Sequence, residues 1–191
     1  MPARSAASVV PRYDRTKAAI LDAAAHALSE HGGRTSMADV AAAAGVSRAT
    51  LYRYYPDREA LLDALASNAL ADAAARLADA GLERAPVEQA IERIVRALIA
   101  VGDRYGVLVR ERIEVDKAEA DRLVGAPMRA VFARGVESGL FRQDLSPDVL
   151  LELFGGALIA ALKLTERGRL GVEEASAATA SVFLDGARAR G

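Results

Sequence analysis

Apolar residues recur along most of this 191-residue chain at intervals of three or four, which is the spacing of amphipathic helices. The clearest stripe predicts a helix that Pro86 opens, and its members are Ile91, Ile94, Leu98, Val101 and Tyr105. Gly102 and Gly106 suggest a break at its end. Helix formers dominate and β-branched runs are scarce, so we predict an all-α fold of about nine helices. The expected helices span about 15–31, two short segments within 35–55, then 58–80, 86–105, 107–115, 127–138, 147–164 and 173–188.

The segment 35–62 has the pattern of a helix-turn-helix followed by a scaffold helix. Ser36 is a good N-cap for the first short helix, and Asp39 stands where a capping box places its carboxylate. Gly45 lies where this helix must end, because glycine adopts a positive φ without a Cβ clash. Val46 then fills the angle between the helices, and Ser47 caps the second helix.

The second short helix has the arrangement of a DNA recognition helix. Leu51 and Tyr54 are expected to face inward, since they are three residues apart. The outward positions are then Arg48, Ala49, Tyr52 and Arg53. The alternative is a surface helical hairpin whose arginines are merely solvated, but agreement at seven positions over about twenty residues favours the DNA-binding interpretation.

The predicted helix 147–164 is apolar on nearly all sides. Ser146 is its expected N-cap and Pro147 its first residue. A helix without a polar face must be covered on both sides, so one side meets the core and the other needs a partner. Gly155 and Gly156 would let a second copy of the helix approach closely, which indicates a homodimer.

Charge divides the chain into a basic end and an acidic remainder. Residues 1–58 carry eight Lys or Arg against five Asp or Glu, and the rest carry 17 against 21. A basic end that holds the motif suits binding of a polyanion by that end. No apolar run reaches membrane-spanning length and the amino terminus lacks a signal-peptide core, so a soluble cytoplasmic protein is expected.

The sequence favours an enzyme less than it favours a DNA-binding protein. The chain has no cysteine, which removes thiol nucleophiles and thiolate metal sites. His26 and His31 are its two histidines, and their spacing is not that of a metal pair. Glu111 and Glu114 stand in a charged run and are expected to form surface ion pairs. We therefore expect no catalytic residue, no metal and no cofactor.

The first predicted helix ends in Glu-His-Gly, and TSMADVAAAAGVSRATLYRYYPDREALLDAL follows. This stretch strongly resembles the TetR family of bacterial transcriptional regulators over about residues 15–65. The resemblance implies a homodimer with two DNA-binding domains and a small-molecule pocket in each larger domain. The domains expected are a flexible arm 1–12, a three-helix DNA-binding domain 13–60, and a ligand-binding and dimerisation domain 61–191.

Carried over residue by residue, the resemblance implies phosphate contacts from Ser36, Ser47, Thr50, Tyr52, Tyr54 and Arg58. It implies that Arg48 and Arg53 reach base edges, and an arginine fork does match the two acceptors of guanine. The chain departs from the family's frequent aromatic or histidine residues at Leu28, Tyr54 and Tyr55. These changes alter details of contact and leave the class unchanged.

The expected function is that of a homodimeric repressor released from a palindromic DNA operator by a small-molecule effector. The alternatives left open are a helical interaction module and an activator without small-molecule control. Aromatic residues make up only 5% of the chain and tryptophan is absent, which favours an aliphatic or modest-sized effector over a large stacked drug. Candidate pocket residues, each of which would otherwise be ordinary core, are Leu98, Tyr105, Met128, Phe132 and Leu158.

Overall fold

The structure is a computed structural model that describes residues 12–31, 34–110 and 116–189. Over these ranges the chain forms nine α-helices and one π-helical turn, and its only β-type pairing is an isolated bridge between Phe141 and Arg188. The all-α prediction is therefore confirmed. The helices are α1 (Arg12–His31), α2 (Met37–Ala43), α3 (Arg48–Tyr54), α4 (Arg58–Asp79), α5 (Val87–Arg110), α6 (Lys117–Ala120), α7 (Ala126–Glu137), α8 (Pro147–Glu166) and α9 (Val172–Ala187).

The first compact unit extends to Ala64 and holds α1, α2, α3 and the start of α4. Its core is made of side chains that are almost completely buried, among them Ile20, Leu28 and Leu51. The buried Thr35 hydroxyl donates a hydrogen bond to the carbonyl oxygen of Ala27, at 3.1 Å, so the segment that enters α2 is tied to α1. This framework holds α3 in place while leaving one face of it exposed.

The second compact unit begins at Leu65, inside α4. Its core is a large apolar cluster from α4, α5, α7, α8 and α9. Four aromatic rings meet at its centre, where Phe132 lies 5.4 Å from Phe154 and 5.6 Å from Phe183 in edge-to-face contacts. Phe141 adds a fourth ring at 5.9 Å from Phe132. Edge-to-face packing of this kind stabilises a core beyond the burial of apolar area alone.

The expected break at the end of the fifth helix is confirmed as a kink inside α5. Gly102 stays helical and gives room to Leu162, because a Cβ at Gly102 would lie 2.2 Å from a Leu162 methyl carbon. The distortion is a kink at Tyr105, where φ is −114° and ψ is 21°. The residues after this kink, up to Arg110, are helical, as the predicted separate helix 107–115 requires; residues 111–115 lie outside the described residues.

The structure has helical residues between α5 and α7 that the sequence did not predict. Residues 117–125 form α6 and a π-helical turn that leads into α7, where a loop was expected. The Asp116 carboxylate starts this stretch by accepting hydrogen bonds from the backbone N–H groups of Ala118 and Glu119. The expected flexible arm 1–12 lies outside the described residues except for Arg12, which opens α1, and the predicted stop at residues 32 and 33 lies outside them too.

Candidate nucleic-acid interface and ligand cleft

The start of α2 is fixed by a complete capping box, as predicted. The Ser36 hydroxyl accepts a hydrogen bond from the Asp39 backbone N–H, at 3.2 Å, and the Ser36 N–H donates to the Asp39 carboxylate, at 2.8 Å. The Ser36 hydroxyl also donates to the Asp39 carboxylate, at 2.7 Å. This bond, followed by the one from the Ser36 backbone N–H, holds the pKa of Asp39 below its ordinary value, and the charges of His31 and Arg48 act in the same direction. The Ser36 side chain remains exposed.

The turn between α2 and α3 also follows the expected local rules. Gly45 has a φ of +63°, which explains a glycine at the end of α2. The Ser47 hydroxyl accepts from the Thr50 backbone N–H, at 3.1 Å, and lies 2.9 Å from the Thr50 hydroxyl. The two hydroxyls therefore lie together at the N-terminus of α3, where backbone N–H groups and the helix dipole favour an anion such as phosphate.

The exposed face of α3 carries the four residues that were predicted to face outward. Arg48, Ala49, Tyr52 and Arg53 are all exposed. The guanidinium of Arg53 lies 5.4 Å from the centre of the Tyr54 ring, which restrains this arginine without burying it. Leu51 is fully buried on the opposite face.

One inward position was predicted wrongly. Tyr54 is only half-buried, and its neighbour Tyr55 is the aromatic residue that packs in the core, at 2% exposure. The reason is that Tyr55 lies four residues after Leu51, one full turn along the same face, and ends α3 as its C-cap. Tyr54 is thereby left accessible at the edge of the recognition helix.

Arg58 opens α4 and is half-buried. The preceding Asp57 caps this helix by accepting a hydrogen bond from the Ala60 backbone N–H, at 2.8 Å. None of the eight predicted DNA-contacting residues is buried: five are exposed, and Thr50, Tyr54 and Arg58 are half-buried. Seven of the eight lie between the N-cap of α3 and the first residue of α4, and the eighth, Ser36, is the N-cap of α2.

The five candidate pocket residues lie in or against the core of the second unit. Leu98 is half-buried, whereas Met128, Phe132 and Leu158 are buried. Tyr105 is also buried, and its phenol oxygen accepts a hydrogen bond from the side-chain amide of Asn68 on α4, at 2.8 Å. That bond supplies the polar partner that a buried tyrosine requires. Their role in binding a ligand stays a prediction.

A cleft of about 940 Å³ opens elsewhere in the second unit, between α4, the turn after it, the π-helical turn and α7. We call it the α4–α7 cleft. Its apolar wall includes Ala74, Leu77, Ala78, Leu82, Pro127 and Val131, and its charged residues are Glu83, Arg84, Arg122 and Arg134. None of the five sequence candidates lines it. Three alanines of α4 (Ala74, Ala75 and Ala78) line it, but alanine in a helix does not by itself indicate a cleft.

Arg134 holds one end of the α4–α7 cleft together. Its guanidinium donates hydrogen bonds to three backbone carbonyl oxygens of the turn after α4: those of Leu82, at 2.8 Å, Ala85, at 3.3 Å, and Glu83. Because carbonyl groups carry no net charge, these bonds position the arginine without neutralising it.

Two negative findings limit the chemistry of the described residues. No group of three or more His, Cys, Asp or Glu side chains in this part of the chain is arranged to hold a metal ion. Within the same residues, none of the helices has both the length and the apolar character needed to span a membrane.

Comparisons with known proteins agree with this geometry. Residues 20–65 match the family model for bacterial regulatory proteins of the tetR family. The chain is 44% identical over 94 residues to the HTH-type transcriptional repressor LfrR of Mycolicibacterium smegmatis, a match that covers 47% of each protein. It is 27% identical over 159 residues to the HTH-type transcriptional regulator NfxB of Pseudomonas aeruginosa, covering 81% of this chain and 85% of NfxB.

The fold is also similar to a solved structure of LfrR from Mycobacterium smegmatis in complex with proflavine. The TM-score is 0.74 at 27% sequence identity, and the alignment covers 93% of this chain and 99% of the LfrR chain. The sequence match to LfrR, by contrast, spans about half of that repressor's length.

The helix-turn-helix, the exposed recognition helix and the helical second unit define the class of helix-turn-helix regulators. Within that class, residues 20–65 match the tetR family of bacterial regulatory proteins, and the fold of the chain is similar to that of LfrR. The relatives are transcriptional regulators and not enzymes, which confirms the expectation that this chain is not an enzyme.

Proposed function

We propose that this protein is a homodimeric transcriptional repressor that binds a palindromic operator in the cytoplasm and is released by a small-molecule effector. The observation that carries the proposal is α3, a seven-residue helix with one buried leucine and two exposed arginines, held by caps at both helices of the motif. This is the geometry that places the N-terminal part of a recognition helix in the major groove.

In the proposed complex, the two halves of the interface have different roles. Arg48 and Arg53 contact base edges, since each is exposed on α3 and an arginine fork pairs with the O6 and N7 acceptors of guanine. The phosphate contacts come from the residues around that face: Ser36, Ser47, Thr50, Tyr52, Tyr54 and Arg58. Hydroxyl groups and cations at helix starts suit phosphate oxygens and fix the register of the protein on the duplex.

The dimer is supported by apolar residues that the monomer leaves uncovered on α8 and α9. Leu153 is 58% exposed, Ile159 49% and Val149 44%, and on α9 Val182 is 74% exposed. A Cβ at Gly156 would meet nothing within 4 Å, so the space above this glycine is open in the single chain. A four-helix interface formed by α8 and α9 with their own copies would bury this surface through one self-complementary patch.

The effector part of the proposal rests on the second unit. It holds an open cleft of the size that small ligands use, and the related LfrR has been crystallised with proflavine. An effector that favours a different separation of the two DNA-binding units would lower operator affinity. By reciprocity, operator DNA would lower effector affinity by the same factor.

The test is selection of DNA from a random duplex library by the full chain, followed by binding measurements at several salt concentrations. We expect selected sites with two inverted half-sites, about one helical turn apart, and an affinity that falls steeply with salt. Footprinting of DNA next to the protein's own gene would then locate the natural operator. Failure to bind any duplex at low salt, or selection of sites without inverted symmetry, would contradict the proposal.

A further inference from the structure

The α4–α7 cleft combines an aliphatic wall with an unbalanced charge. Its apolar lining consists of Ala, Leu, Val and Pro side chains, and no aromatic residue lines it. An aliphatic surface of this kind gains most from a flexible or chain-like apolar group, because it offers no ring on which a planar aromatic molecule would stack.

The charged lining is three arginines against one glutamate. Arg134 is half-buried, and its hydrogen bonds go to carbonyl oxygens, which leave its charge uncompensated. Arg122 has one ion pair with Glu119, at 3.5 Å, and both side chains are largely exposed. Arg84 is exposed at the same cleft and pairs with no carboxylate among the described residues. The lining therefore carries an excess of positive charge, and the attraction of such charges for an anion weakens less in a partly enclosed site than on an open surface.

From these two features we infer that the α4–α7 cleft binds an amphipathic organic anion, in which an aliphatic chain lies on the apolar wall and a carboxylate or similar acidic head meets Arg84 and Arg122. Arg134 holds the turn that carries Arg84 and adds its own charge. The inference rests on the proposed function for its regulatory meaning, since the anion would then be the effector class. The inference excludes a cationic or neutral molecule as the preferred ligand of this cleft.

The probe is decanoate, titrated into the full chain by calorimetry without DNA. Decyltrimethylammonium has the same chain with the opposite charge, and we expect it to bind at least about tenfold more weakly. Octanoate is two methylenes shorter and should bind about fifteenfold more weakly than decanoate, since each buried methylene is worth about fourfold in affinity. Equal affinity for the cation, or no detectable decanoate binding at millimolar concentration, would overturn the inference.

Variants locate the site. The double variant Arg84→Glu/Arg122→Glu should weaken decanoate binding at least about tenfold by reversing two charges at the cleft. The matched control is Arg167→Glu/Arg169→Glu, which makes the same change of net charge at exposed positions outside the cleft lining, and it should leave the affinity unchanged. Ala130→Trp, at an exposed position of the lining, should weaken binding by filling the cleft without a change of charge. Equal losses in the two double variants would show that only net charge matters and would overturn the assignment.

Operator binding is measured on the same preparations in the absence of decanoate, which separates the two proposals. Intact operator binding without decanoate binding would overturn the cleft assignment and leave the repressor proposal standing. Decanoate binding without operator binding would contradict the repressor proposal, and with it the role of the anion as an effector. The assignment of the cleft as an anion site would stand.

Discussion

Replacement of Leu153 by serine tests the dimer directly. Leu153 lies on the outer face of α8, where it is 58% exposed in the single chain. In the proposed dimer that exposed surface is covered by the partner's copy of the same patch. Two-fold symmetry means that each substitution removes two such side chains from the interface.

The expected loss follows from the exposed fraction. Complete burial of a leucine side chain is worth about 1.5–3 kcal/mol, so covering the 58% that is still exposed is worth about 1–1.7 kcal/mol for each copy. Two copies give about 2–3.4 kcal/mol in total, which corresponds to a dimer Kd that is about 30-fold to about 300-fold higher. Helix α8 itself should remain folded, because its buried face, with Leu150, Phe154 and Leu158, is unchanged.

The assay is sedimentation velocity over a concentration series, together with operator binding. The matched control is Tyr52→Ser, which removes another large exposed side chain, 47% exposed, from the first unit. We expect Leu153→Ser to shift the monomer–dimer equilibrium and weaken operator binding, and Tyr52→Ser to leave self-association unchanged. A wild-type chain that is monomeric at micromolar concentration with tight operator binding, or a Leu153→Ser variant that dimerises normally, would refute the reasoning.

Four other outcomes follow from the same structure. Arg48→Ala should relax one base position in each half-site at a cost of about 1–3 kcal/mol per contact, as measured by binding to a panel of operator variants; unchanged sequence preference would contradict its role. Arg58→Ala should weaken binding to all duplexes alike and lower the salt slope by about one for each protomer, and an effect limited to one base position would reverse the assignment. Gly135→Ala should destabilise the second unit by about 1–3 kcal/mol in urea unfolding, since the new Cβ would lie 2.3 Å from the Phe141 ring. The pKa of Asp39 is lower in the folded chain than its ordinary value of 3.8. The ionised Asp39 therefore stabilises the fold above pH 3.8, and this contribution is lost as the pH falls through the folded pKa. In acid, the free energy of unfolding of Asp39→Ala should therefore converge with that of wild type.

Features set by neighbouring residues were predictable from the sequence. The capping box of Ser36 and Asp39 and the turn at Gly45 each depend on atoms within a few positions in the chain, and the structure has both as expected. The boundaries of α8 were also well predicted, because Ser146 and Pro147 mark its start by local chemistry. These caps and turns depend little on residues far away in the chain, which explains why the motif was recognisable from the sequence.

Features set by distant residues were not predictable. The close approach of Leu162 to Gly102 joins residues sixty positions apart, and no local pattern around Gly102 indicates it. The α4–α7 cleft was missed for the same reason. Its walls come from helices about fifty residues apart, and Ala74 and Ala78 have no signal beyond helix propensity.

The clamp made by Arg134 has a consequence for how this protein can change over evolutionary time. The guanidinium binds only main-chain oxygens, at Leu82, Glu83 and Ala85, and every amino acid supplies such an oxygen. The rim side chains of Glu83 and Arg84 are therefore free to mutate without loss of the clamp. Single substitutions at these positions can therefore change which ligands the cleft prefers, while the hydrogen bonds from Arg134 to the main chain are kept.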